Sequence, residues 1–199
     1  MSNITNNLLK LAISKKTVFT TADLGIFWGI EDKNVLKTTI SRAIKKGYLK
    51  HLQRGLYTLN KEDINIFELA GKLKKNSYIS FETVLLKNDV INQWYDTVFS
   101  ASDRQVEIEN EFGKFNYRKI PENILINRMG IINKETYFIA STERAICDYF
   151  YKEGFQQLDN TESVDKDRLL QISKIYNNKR LERDIKKLAK NLGNNKFNY

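Results

Sequence analysis

The chain has little of several residues that would make its chemistry easy to read. It carries one cysteine, Cys147, and one histidine, His51. A single cysteine excludes an internal disulfide, and that pair alone does not make a Cys/His metal site. No apolar run approaches the roughly 18 residues of a membrane-spanning helix. The opening MSNITNNLLKLAISKK is too polar, and its apolar stretch too short, for a signal peptide. The phosphate-gripping pattern GxxxxGK is absent. Cys147 and His51 fall in different expected domains, so no Cys–His couple is indicated, and no Pro- or Gly-rich linker separates the parts. These absences favour a cytoplasmic protein with no metal, cofactor or membrane partner.

What is present is charge, unevenly placed. The 199 residues are 41% apolar and 29% charged, with a net charge of +9, which suits one or two globular domains. Residues 1–60 carry +7, residues 61–165 carry −5 and residues 166–199 carry +7. Basic segments attract phosphate backbones or acidic partners over long range, so the two basic ends and the acidic middle imply different tasks.

The first sixty residues show helical periods. Ile4, Leu8, Leu11 and Ala12 share a face of one helix. In FTTADLGIFWGI, Thr20 or Thr21 caps a second, with Leu24, Phe27 and Trp28 as its apolar face and Gly29 ending it. Asp32 caps a third, about Lys33 to Lys46, and Gly47 ends it. Leu36, Ile40, Ala43 and Ile44 form the apolar stripe of that third helix. Asn34, Lys37, Thr38, Ser41 and Arg42 lie away from the stripe, and these are types that read base edges. Lys33 and Lys45 suit backbone phosphates, and no acid occurs between Lys33 and Lys46. YLKHL and LYTL then alternate as strands around a QRG turn. Three helices followed by a hairpin predict a winged helix-turn-helix, with Arg54 at the wing tip, Gln53 and Arg54 suited to gripping the DNA backbone, and His51 as a surface contact on a wing strand.

From residue 63 the expected fold is α+β, with helices, a mainly antiparallel sheet and a helical tail. DINIFELAGKLKKNSYISFETVLLKNDVI reads as two short helices, the second capped by Ser80. DTVFSAS, RQVEIEN, KFNYRKI, ILINRMGII and TYFIAS read as strands, with a hairpin turn at NEFGKF. STERAICDYFYK returns to helix with Ser141 as its cap, and Cys147 reads as a buried small residue there. From about residue 160 the pattern is helical and basic, and the final GNNKFNY should fray. Lys179, Arg180, Arg183, Lys186 and Lys187 form a second basic surface, suited to DNA or to an acidic patch. The change of period places the domain boundary at residues 62/63.

Acidic nuclease chemistry is the best enzymatic alternative, because strand carboxylates can hold a divalent cation. Asp103, Glu107, Glu109 and Glu111 lie near Lys114 in sequence. Three of these alternate along one strand, which reads better as the solvent side of a half-exposed sheet. The expectation is therefore a protein with no catalytic residues.

Three stretches carry a family resemblance. KKGYLKHLQRGLYTL, FELAGKL followed by SYISFETVLLKNDVI, and FIASTERAICDYFY resemble segments of the AbiEi antitoxins, transcriptional regulators of abortive-infection toxin–antitoxin systems. The resemblance spans about residues 17–152. The last stretch is similar to a motif written Ala-Thr-Pro-Glu-(Lys/Arg)-Ala, with Thr142 standing where the family often has proline. The resemblance implies an autorepressor that binds double-stranded DNA at its own operator and counters a nucleotidyltransferase-type toxin. The alternative is a stand-alone winged-helix regulator whose second domain, residues 63–199, binds a ligand or dimerises.

Overall fold

The computed structural model describes residues 3–192; the segment GNNKFNY, expected to fray, and the side chain of Ile4 lie outside the described residues. The chain divides into two compact units, residues 1–73 and 74–199.

The first unit contains helices α1 (Asn3–Ala12), α2 (Thr21–Trp28), α3 (Lys33–Lys45) and α4 (Ile66–Leu73), with strands β1 (Phe19–Thr20), β2 (Lys50–Gln53) and β3 (Leu56–Thr58). The strands form an antiparallel sheet in the order β1-β3-β2. Leu11, Phe19, Leu24, Trp28, Leu36, Ile40, Ala43 and Leu49 make its core. On α1 the buried face runs through Asn7 and Leu11, with Leu8 half-buried, whereas Ala12 faces solvent rather than the core as its spacing had implied. Thr20 caps α2 through a full capping box: its hydroxyl oxygen accepts from the backbone of Asp23, and the Asp23 carboxylate accepts from the backbone of Thr20. Gly29 and Gly47 follow α2 and α3 with φ of 65° and 74°, left-handed angles that favour glycine.

The division falls later than the change of period at 62/63 because α4 belongs to the first unit. The buried Glu68 carboxylate on α4 accepts from the backbone N–H and the hydroxyl of Thr17, at 2.7 and 2.8 Å. Lys72 also reaches Asp23 at 3.4 Å. Period reports local geometry; these ties join residues about fifty positions apart.

The second unit is a sheet with helices. Its strands are β4 (Ser77–Ile79), β5 (Thr97–Ser102), β6 (Val106–Asn110), β7 (Gly113–Lys119), β8 (Ile131–Asn133) and β9 (Phe138–Ala140). Its helices are α5 (Phe81–Lys87), α6 (Glu122–Leu125), α7 (Thr142–Glu153), α8 (Lys166–Ser173) and α9 (Lys179–Asn191). The order β6-β7-β5-β4-β9-β8 alternates pairings, with β6–β7, β5–β4 and β9–β8 antiparallel and β7–β5 and β4–β9 parallel. The sheet is therefore mixed, mainly antiparallel as expected in three of its five pairings, with two parallel pairings because β4 enters its middle and β7 folds back between β6 and β5. The hairpin expected at NEFGKF joins β6 and β7, with Asn110 opposite Gly113.

Two local expectations change. The stretch SYI, expected within helical sequence, forms β4, and the first part of ILINRMGII forms α6 instead of strand. Ser80 precedes α5 but makes no capping bond, since its hydroxyl donates to Asp148 at 2.6 Å. Ser141 does cap α7, accepting from the backbone N–H of Arg144. Asp165 and Asn178 cap α8 and α9 in the same way, through the N–H groups of Arg168 and Leu181.

Candidate nucleic-acid interface

The third helix is fixed from both ends and from one side. The Asp32 carboxylate accepts from the N–H groups of Asn34 and Val35, at 2.9 and 2.8 Å, satisfying donors that the helix itself leaves free. Leu36, Ile40 and Ala43 anchor the opposite face in the core. Lys33, Asn34, Lys37, Thr38, Ser41, Arg42 and Lys45 are all exposed, as their spacing away from the stripe predicts. The Arg42 guanidinium has no ion-pair or hydrogen-bond partner among the described residues, so its donor fork is open to solvent. Thr38 is less free than its exposure implies. Its hydroxyl donates back to the carbonyl of Asn34 at 2.9 Å, so toward a ligand it presents chiefly an acceptor.

The β2–β3 hairpin stands next in the chain. Gly55 takes φ 77° at its turn, and its carbonyl accepts from the N–H of Thr21. Arg54 beside it is exposed, while Gln53 is half-buried and pairs with Leu56 across a bulge. The exposed His51 packs edge-on against Tyr57, with ring centroids 5.7 Å apart.

Three exposed residues of this region escaped the sequence reading. Val35 is an apolar residue on α3 that does not join the buried stripe, and it is 53% exposed. Its failure to fit the apolar period was the available signal, and a methyl-bearing side chain there suits contact with a thymine methyl. Lys46 and Lys50 are also exposed, at the end of α3 and the start of β2.

The acidic nuclease candidates are spread apart, with three glutamates on solvent and Asp103 in an ion pair. Glu107, Glu109 and Glu111 are exposed along and beyond β6, Lys114 approaches Glu109 at 3.9 Å, and Asp103 is held by Lys74 at 2.6 Å.

The second basic surface lies on α9, whose apolar face, Leu181, Ile185, Leu188 and Ala189, is buried. Lys179, Arg183, Lys186 and Lys187 are exposed. Arg180 must be set apart from them. Its guanidinium donates to the carbonyls of Phe150 and Tyr151, at 3.2 and 2.7 Å, where α7 ends and carbonyls lack partners within the helix. Lys187 sits over the ring of Phe155 at 4.2 Å, a cation–π contact that leaves part of the ammonium accessible.

The second unit also holds a buried polar cluster that sequence reasoning missed. Arg144 and Asp148, one helical turn apart on α7, are fully buried with N···O at 3.4 Å. Arg144 also donates to the hydroxyl of Tyr78 and the carbonyl of Ile124, both at 2.8 Å, and to that of Met129 at 3.0 Å. Asp148 accepts from the hydroxyls of Tyr78, Ser80 and Tyr176. Burial alone would weaken the Arg144 charge, but the Asp148 carboxylate and the two tyrosines outweigh it and hold the guanidinium protonated. Burial, reinforced by the Asp148 charge, pushes the Tyr78 and Tyr176 hydroxyls well up, and burial does the same to the Cys147 thiol. The cluster therefore ties β4, α6, α7 and the turn at Tyr176 between α8 and α9 together. The available signal was a charged pair four residues apart within the otherwise apolar RAICDYF.

Residues 6–60 match the family model described as the AbiEi antitoxin transcriptional regulators. The AbiEi match runs from α1 to the end of the β2–β3 hairpin, and so contains every candidate residue on α3 and on the hairpin. It leaves α4 and the whole second unit outside, including FELAGKL and FIASTERAICDYFY, two of the three stretches that carried the broader resemblance. A comparison with curated proteins gives no match. Among the described residues no helix is long and apolar enough to cross a membrane.

Proposed function

We propose that residues 6–60 act as a winged helix-turn-helix that binds double-stranded DNA, and that the chain is an AbiEi-type antitoxin repressing its own operon. One observation carries the reading: an outward face on α3 with four cations, Lys33, Lys37, Arg42 and Lys45, and no acid, on a helix whose other face is locked into a core. A surface that only confers solubility mixes both signs of charge; a face meeting phosphates does not. In this reading α3 enters the major groove, with Asn34, Lys37, Ser41, Arg42 and the Val35 methyls toward base edges. Lys33, Lys45 and Arg54 contact phosphate, and His51 and Gln53 support the wing. The exposed cations of α9 are a further basic surface, for DNA or for an acidic patch on a partner. No residue is given a catalytic role.

The test is affinity of the full chain for the DNA upstream of its own reading frame, measured across a salt series, together with co-expression beside the neighbouring gene. Salt-dependent, sequence-preferring binding and rescue of growth are the expected results. Binding that is equal on all sequences defeats the regulatory reading. Binding without any toxic neighbour to rescue leaves the solitary regulator, which the cleft described below in the second unit favours. Cleavage of plasmid with Mg²⁺ or Mn²⁺ would instead reveal a nuclease.

A further inference from the structure

The second unit has a cleft of about 930 Å³ at one end of its sheet. That is within the roughly 300–1,000 Å³ of small-molecule sites. The parallel neighbours β5 and β7 end there, and β4 and β9 begin there. The carboxyl ends of parallel strands are a common place for ligands in open sheets.

Its cations come from four separate segments: Lys75 ahead of β4, Lys119 at the end of β7, Arg128 after α6 and Lys152 in the last turn of α7. None of the four has an ion-pair partner among the described residues. Of the carboxylates at the cleft, Asp103 is already neutralised by Lys74, which leaves Glu122. Four unneutralised cations therefore converge on one mouth, in a stretch of chain whose net charge is −5 over residues 61–165. Like charges gathered this way repel one another and favour a bound anion. The lining beneath them mixes polar groups, Asn76, Ser77 and Gln105, with apolar ones, Ile120, Pro121, Leu125 and the ring of Phe138. The Arg128 guanidinium lies over that ring at 4.6 Å, a cation–π contact.

We propose that this cleft binds a nucleoside polyphosphate, with its phosphates among Lys75, Lys119 and Lys152 and its base against the Arg128–Phe138 pair. Separate point charges on flexible stems suit several phosphate groups better than one carboxylate. An aromatic ring with a guanidinium against it suits a heterocycle rather than an aliphatic chain. Occupancy does not depend on the reading of α3, and no DNA enters the test.

Calorimetric titration of the full chain with ATP, GTP, CTP and UTP, beside pyrophosphate and the matching nucleosides, decides the matter. At least one triphosphate should bind one to one, and its nucleoside should bind about tenfold more weakly or worse. The double variant Lys119→Ala/Lys152→Ala should lose about tenfold or more in affinity for the triphosphate. A variant with the same charge change away from the cleft, Lys87→Ala/Lys166→Ala, should bind as the unaltered chain does. Phe138→Leu should weaken the triphosphate and leave pyrophosphate unchanged. The proposal fails if no triphosphate binds at about 1 mM, near −4 kcal/mol. It fails too if pyrophosphate binds as tightly as the triphosphates, because then no base is held. Binding that survives in the Lys119/Lys152 variant places the ligand elsewhere. Displacement of the triphosphate by a poly-glutamate peptide at lower concentration assigns the cleft to an acidic protein segment instead.

Discussion

Arg42 and Arg144 show two opposite uses of the same side chain. Arg42 stands on the outer face of α3 with its guanidinium unpaired, whereas Arg144 is fully buried on α7 and bonded to a carboxylate, a phenol and backbone carbonyls. The first unit closes on an apolar cluster, with the buried Glu68 carboxylate bonded to Thr17 beside it, and keeps Arg42 and Arg54 outside. The second places an ion pair at its centre and wraps strands, loop and helices around it. A buried pair of this kind is a poor source of net stability but a severe loss when only one member is removed. Formal charge therefore describes the outer face of α3 and misses the paired charges inside the second unit.

The contrast is open to breaking. Arg144→Met leaves Asp148 buried without its cation and should cost about 3–5 kcal/mol. Urea denaturation of the full chain measures it, and a loss below about 1 kcal/mol would mean that the cluster is not a structural centre. Gly130→Ala should cost about 1–3 kcal/mol. Gly130 has φ 76°, and a Cβ there would lie 2.8 Å from the Cβ of Arg144 and 2.9 Å from Ile172.

Arg42→Ala should leave the denaturation curve unchanged. It should weaken binding to the operator by ~1–3 kcal/mol and relax the preference at one base position; operator binding like that of the unaltered chain removes α3 as the reading element. Arg54→Ala should act more evenly, weakening all DNA sequences alike and lowering the salt slope by about 1. The smallest effect is on pH dependence in the first unit. Burial raises the Asp23 pKa, but bonds from Lys16 and Thr20 and the charge of Lys72 outweigh it and hold it at about 2, against 3.8 unperturbed. Its contribution is thus present above about pH 4 and lost as pH falls toward 2. Since the group is only half-buried, solvent screening limits this to on the order of 1 kcal/mol, and Asp23→Asn should flatten the acid limb accordingly.

Sequence made α3 legible because its signals are local. An apolar stripe of period 3.6, an aspartate ahead of it and a glycine after it all agree. The hairpin was legible for the same reason. β4 was not, because three residues between two helices are too few to display an alternation. The apolar run of α6 is too short to separate helix from strand by period. Pairing of β5 with β7 and of β4 with β9 depends on contacts between distant segments, to which composition gives no access. Arg144 escaped for that reason too, since Tyr78 lies 66 residues away in sequence. At the candidate interface, types and exposure were readable, but the turning of the Thr38 hydroxyl onto its own helix and the diversion of Arg180 to the end of α7 were not.

The bonds between Glu68 and Thr17 bear on how the molecule is taken apart. A truncation stopping at Glu62, where the alternating pattern of the hairpin has run out, would discard the carboxylate that accepts two hydrogen bonds from Thr17. The bared amide ahead of β1 would then face water or misfold, and a failure to bind DNA would say nothing of α3. Dissection of the two halves has to follow Leu73.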